Sequence, residues 1–258
     1  MRDLGLEEAI RVAGGVGALA KKLGISQPSV SNWSRVPAER VLSVEEATGV
    51  SRVTLRPDLY EHAGTAGDID EVDAARAQEY ALLSVLLARA PDAALLPRLA
   101  TLRGNASPLG LAHAALAEAA ERASIELIER EYFDLFIGLG RGELLPYGSY
   151  YLTGFLHERP LARLRAHLDK LGIERAEGQA EPEDHAAILC EIMSGLASRR
   201  FSAPAGSDRE VFEQHLAPWI GRFFADLEQA EAADFYRRVG ALGRVFVQIE
   251  TEAFALPA

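Results

Sequence analysis

The sequence predicts an all-α protein, a small helix-turn-helix domain followed by a larger helical bundle. Apolar residues recur at helical spacing through most of the 258 residues. Sustained strand-like alternation is absent. Charge is unevenly divided: acids and bases nearly balance over residues 1–58, so the acidity behind the net charge of −11 comes from residues 59–258. The expected division is a helix-turn-helix domain at 1–60, a linker at 61–73 and the bundle at 74–258.

The helix-turn-helix is read from residues 16–33, VGALAKKLGISQPSVSNW. Ala20 is small where two helices cross. Gly24 stands where the turn needs positive φ. Ser26 caps a second helix with Pro28 in its first turn. Leu19, Leu23, Ile25, Val30 and Trp33 then face one small core. In such a unit the second helix enters the major groove. Gln27, Ser29, Ser31 and Asn32 face away from the core, and Gln and Asn suit the paired acceptor and donor of adenine. Lys21, Lys22, Arg35 and Arg40 are placed for phosphates. DNA is therefore an expected partner of residues 16–40. Phosphate contacts supply most non-specific affinity, so a charge-balanced domain also reads as a scaffold or dimerisation unit.

This domain closes at Leu55-Arg56-Pro57-Asp58-Leu59-Tyr60. Glu61 to Asp73 (EHAGTAGDIDEVD) is polar and aperiodic, a linker reaching roughly 20 Å. Beyond it, Tyr80, Leu83, Leu86 and Leu87 repeat at helical spacing. So do Leu127, Ile128, Tyr132, Leu135 and Phe136, and later Val239, Leu242, Val245, Phe246 and Ile249. Breaks fall at Pro91, Pro97, Asn105 to Pro108, Gly138 to Gly148, Gly172 to Pro182 and Ser202 to Ser207. Ser107 before Pro108 marks a capped helix start.

Several function classes are excluded by the composition. No run of about 18 apolar residues predicts a membrane span. Met1 to Ala9 carries acids and no apolar stretch, so no secretory signal is expected. The single cysteine, Cys190, fits a reducing cytoplasm. One cysteine and six scattered histidines give no metal set. No phosphate loop or dinucleotide fingerprint is present, and Ser149 lacks a nucleophile elbow. The expectation is a protein without catalysis, cofactor or metal. Ser198-Arg199-Arg200-Phe201 looks like a fragment of a twin-arginine signal, but it is internal and reads as a helix end with cations at its C-terminus.

Two loops remain. Leu145 to Tyr151 holds Pro146, Tyr147, Ser149, Tyr150 and Tyr151, and each tyrosine hydroxyl needs a partner. Glu181-Pro182-Glu183-Asp184-His185 opens a helix. Its acids favour that helix N-terminus, and His185 reads equally as a packed histidine. A tyrosine-rich surface beside an acid–histidine pair also suits a groove for an arginine-containing peptide.

The N-terminal stretch resembles the Cro/CI-type repressors, and more closely the YdaS-like antitoxin group. The matching residues are Ala13-Gly14-Gly15, Ala18-Leu19-Ala20, Leu23 to Gln27, Val30 to Trp33, Val36 to Arg40 and the tail Leu55 to Tyr60. The resemblance implies DNA binding as a dimer. The two loops, with a third segment, resemble the TorD/DmsD family of redox-enzyme maturation chaperones over residues 75–253. Its first motif is matched at Glu131, Tyr132, Phe136, Gly138, Pro146, Tyr147, Ser149 and Tyr150 or Tyr151, with Gly148 where the family has Glu. The second is matched at Glu181, Pro182, Asp184, His185, Glu191 and Met193, the third at Phe212, His215, Leu216, Pro218, Trp219 and Phe223.

That resemblance implies a TorD-like bundle and a cytoplasmic chaperone. Its partner would be an apo-molybdoenzyme, such as a formate dehydrogenase or related reductase, or its twin-arginine leader peptide. It implies leader binding by Asp184 and His185, within a client surface that includes Glu181, Pro182, Pro146, Tyr147, Ser149, Tyr150 and Trp219. The alternatives are a DNA-binding transcription regulator whose helical domain senses a partner or ligand, and an antitoxin-like module fused to a helical partner domain.

Overall fold

The protein is seen in a computed structural model that describes residues 3–56, 70–176, 178 and 180–256. It is all-α, with no strand among the described residues. The chain separates into two compact units, Met1–Asp68 and Ile69–Ala258.

The first unit holds α1 (Leu4–Ala13), α2 (Val16–Lys22), α3 (Gln27–Ser31), α4 (Val41–Thr48) and α5 (Arg52–Leu55). Helices this short are marginal alone and persist because each buries one face. Leu6, Leu19, Val30, Val41, Val44 and Leu55 are fully buried in one cluster. Leu23, Ile25 and Trp33, expected inside, pack half-buried at its edge. Gly5 lies so close to the backbone of Thr54 and Leu55 that a Cβ has no room. The turn is as expected: Gly24 has φ +67°, and Ser26 Oγ accepts from the Ser29 N–H at 3.4 Å. One feature departs from the expectation. α3 is only five residues long, and Asn32 is its C-cap rather than a mid-helix residue. Ser and Asn are poor interior helix formers, and the chain must turn here to bring Val36 into the core.

Pro57 to Tyr60 of the expected tail, and 61–69 of the expected linker, lie outside the described residues. The sequence runs the linker to Asp73, but α6 (Glu71–Ala88) already begins at Glu71. Asp70 caps it by accepting from the Asp73 N–H at 2.8 Å, and two further acids lie in its first turn, where they suit the helix dipole.

The second unit continues with α7 (Leu95–Ala100), α8 (Pro108–Arg122), α9 (Ile125–Tyr132), α10 (Gly148–Thr153) and α11 (Arg159–Lys170). It ends with α12 (Ala186–Ala197), α13 (Ser207–Val211), α14 (Ala217–Gln229) and α15 (Phe235–Ala255). Single π-helical turns, Phe133–Ile137 and Phe212–Leu216, extend α9 and join α13 to α14. α12 is buried along nearly its whole length. It packs on α6, while α14 packs on α15 and α15 on α8. Tyr80, Leu83, Leu86 and Leu87 all face the core, as the spacing predicts. Leu127 and Ile249 do not; they are 66% and 40% exposed. The residue buried beside Ile249 is Glu250, 1% exposed. Its carboxylate accepts from Arg76 and from the Tyr80 hydroxyl, both on α6. Arg76 also pairs with Asp73 and Asp208.

Candidate functional site

The two loops singled out in the sequence meet. Gly148 N–H donates to the Asp184 carbonyl and Ala186 N–H to the Pro146 carbonyl, both at 2.8 Å. These two bonds form an isolated antiparallel bridge between Tyr147 and His185. Pro146, which has no N–H, contributes only its carbonyl here. The first loop is shorter than expected, because Gly148 opens α10 and so places Ser149, Tyr150 and Tyr151 on a helix.

Asp184 is 3% exposed. Its Oδ2 accepts from the Ser149 N–H at 2.7 Å, so it caps α10 from a segment 35 residues away. Its Oδ1 and the Ser149 hydroxyl are buried without a hydrogen-bond partner among the described residues. His185 caps α12: its Nδ1 accepts from the Ala187 N–H at 3.1 Å. That bond places the proton of the neutral ring on Nε2. Burial lowers the pKa of His185, against the opposing pull of Glu181 and Asp184. The capping role read for the acids therefore falls to His185 on α12 and to Asp184 on α10.

The tyrosines find partners, as their hydroxyls require. Tyr147 stands edge-on to His185, ring centres 5.0 Å apart, and donates to the exposed Glu181 at 2.7 Å. Burial and that carboxylate both raise its pKa. Tyr150 accepts from Arg141 at 2.7 Å, whose guanidinium lies over the ring. Tyr151 donates to Asp226 at 2.9 Å and packs on Trp219 and Phe223. Trp219 is 1% exposed and its indole N–H donates to the His215 carbonyl, so the structure places it beneath the two loops, in the core. Gly148 sits directly on it; a Cβ there would lie 3.0 Å from Nε1. Of the nine residues expected to meet a client, Glu181, Pro182, Tyr147 and Tyr150 reach the surface, while Pro146, Ser149, Asp184, His185 and Trp219 are buried.

Other motif residues hold the framework. The Glu131 carboxylate accepts from the backbone N–H of Asp234, Phe235 and Tyr236, opening α15. Tyr132 packs with Phe136 and Tyr236, and burial lifts its pKa to about 12. Phe212, Leu216 and Phe223 are core residues. His215 meets His167 of α11 at 2.9 Å. Sequence reading missed Asp226, Arg141 and His167. Each meets a motif residue across a gap in sequence, and only the aromatic clustering around 147–151 pointed to that neighbourhood.

In the first unit, Gln27, Ser29, Ser31 and Asn32 are exposed, as are Lys21, Lys22 and Arg35. Gln27 lies over Gly17 of α2, the Ser29 hydroxyl bonds the Ser26 cap, and Lys22 donates to the Ala47 carbonyl. No helix among the described residues is long and apolar enough to cross a membrane.

Comparison with known proteins respects the same division. Residues 103–225 match the family described as nitrate reductase delta subunit. A chaperone protein TorD of Vibrio cholerae serotype O1 is 30% identical over 135 residues, 49% of this chain and 61% of the relative. That of Shewanella loihica is 26% identical over 210 residues, 72% of this chain and 96% of the relative. The helical unit is similar in sequence to these TorD chaperones. The chain spans only 61% of the length of the Vibrio cholerae relative. A solved chain from Archaeoglobus fulgidus, described as a putative redox enzyme maturation protein, aligns at 20% identity with a TM-score of 0.47, covering 67% of this chain and 93% of its own. Ahead of the helical unit, residues 6–63 match the family described as bacterial toxin YdaS.

Proposed function

We propose that this protein is a cytoplasmic chaperone, not an enzyme, for a molybdenum-containing oxidoreductase. It binds the apo form or the twin-arginine leader of a formate dehydrogenase or related reductase. The observation that carries this reading is the bridge joining the two loops. It sets the exposed Glu181 carboxylate and the Tyr147 and Tyr150 rings around a buried Asp184. A guanidinium is suited to such a face, since it pairs with carboxylates through a planar fork and stacks on aromatic rings. The likeness to TorD chaperones supports the same reading.

The test is calorimetry of the full chain with a synthetic leader peptide carrying two arginines. Glu181→Gln changes an exposed group and Tyr150→Ala a half-buried one. Affinity is expected to fall roughly tenfold, with the helical circular dichroism spectrum retained. Equal affinity in the double variant would overturn the site, and a wild type that binds neither leader nor apoprotein would overturn the function.

A second reading concerns the first unit. The exposed polar face of α3, with Lys21 and Lys22 beside it, supports DNA binding through residues 16–40, by a dimer, in a regulator whose helical unit senses its client. Gln27→Ala with Asn32→Ala is expected to abolish a specific DNA shift. A wild type without salt-sensitive DNA binding at low ionic strength would end this reading.

A further inference from the structure

A cavity of about 440 Å3 opens beside the loop bridge, between α11 and α12. Its volume lies within the roughly 300–1,000 Å3 usual for sites that bury a ligand. The floor is apolar: Leu168, Ile173, Ile188, Ile192 and Phe201. The rim is charged, but its charges are not equally occupied. Arg165 is bonded to Glu183 at 2.8 Å, Arg175 donates to the Ala180 carbonyl, and Arg200 lies over the Phe201 ring. The side chains of Asp169, Glu174 and Glu191, also on the lining, have no hydrogen bond or ion pair among the described residues.

The cavity therefore offers an apolar floor under three unengaged carboxylates while its arginines are occupied. One wall is Arg200 and Phe201, the last two residues of the segment Ser198-Arg199-Arg200-Phe201. Its phenylalanine presses so closely on Gly195 that no Cβ would fit there. The wall itself thus displays an arginine folded over an aromatic ring against this surface. Glu183, on the rim, directly precedes Asp184, so the cavity and the loop bridge share one turn of chain.

We propose that this cavity is a second subsite for the client polypeptide, taking a large apolar side chain while the rim carboxylates hold a neighbouring arginine. Charge complementarity selects the occupant: an anionic or purely aliphatic ligand would leave Asp169, Glu174 and Glu191 repelled or unused. The inference rests on the client-binding reading above and adds a specificity to it. Arginines alone are insufficient; an apolar residue must lie close to them in the peptide.

Fluorescence anisotropy of the full chain tests this with three labelled synthetic peptides. One carries two arginines followed by phenylalanine, one has serine in place of that phenylalanine, and one has glutamines in place of the arginines. The first is expected to bind at least about tenfold more tightly than either of the others. Asp169→Lys with Glu191→Lys, both on the exposed rim, is expected to weaken the first peptide severalfold, most at low salt, without moving the melting temperature. Equal affinity for the phenylalanine and serine peptides, or an unchanged affinity in the charge-reversed variant, overturns the subsite. Binding that responds to Glu181→Gln but to no cavity change removes the subsite and leaves the chaperone reading standing. Failure of every arginine peptide to bind removes both the subsite and the leader-binding site.

Discussion

Asp184, Glu131 and Glu143 do the same physical work at three places. Each carboxylate accepts backbone N–H groups of a segment far away in sequence: Asp184 from Ser149, Glu131 from the start of α15, and Glu143 from Glu231 and Ala232. Glu131→Ala would leave three N–H groups without their acceptor. A loss of about 1–3 kcal/mol is expected, checked by urea unfolding against Glu131→Gln, which keeps one acceptor. His215 gives a pH dependence. Burial, then His167 and Arg163, lowers its pKa from 6.5 to about 4. The unfolded state binds the proton more tightly, so this contribution to stability is whole above pH 6.5 and is lost as pH falls to about 4. The urea midpoint of His215→Gln is expected to fall less than that of the parent between those limits. Asp184 and His185 stand out in the sequence by residue type and company. Their capping roles do not, because cap signals are read from neighbours three residues on, and Asp184 caps a helix 35 residues back.

Among elements, α6 and α15 are tied by one ionic knot. Glu250 is 1% exposed and Arg76 supplies its counter-charge. Removing one partner of a buried pair costs about 3–5 kcal/mol, because the other charge stays buried. Arg76→Ala is expected to show a loss of that size in denaturant unfolding, and the Arg76→Met, Glu250→Met double variant a smaller one. Periodicity predicts α15 well over Val239, Leu242 and Phe246, all buried. It fails one turn later, putting Ile249 inside, because a pattern of apolar residues is blind to a buried Glu. α3 shows the opposite limit. Its cap and turn are legible in Ser26 and Gly24, while its length is set by Val36 having to reach the core.

Over the whole molecule, the balance of charge along the chain marks the division into two units better than any single residue does. Acids dominate only after residue 58, and the compact units divide near 68. Sequence reading sets the linker's end too late because Asp70, Glu71 and Asp73 look like polar linker and serve as the cap and first turn of α6. If the units fold independently, a core change in one leaves the other's transition unmoved. Leu19→Ala, at a fully buried site, is expected to cost about 2–5 kcal/mol. Calorimetry should show that loss in one transition only; a joint shift of both would refute independence.

The bridge between Tyr147 and His185 has a thermodynamic corollary. Its two strands of loop come from segments far apart in the chain, so the site exists only where the helical unit is folded. A client that engages it binds the native state and not the unfolded one. Such a ligand raises stability by about 2.7 kcal/mol at a hundredfold excess over its dissociation constant. Heat resistance then reports occupancy, and a melting curve recorded against a panel of candidate leaders becomes a direct search for the client.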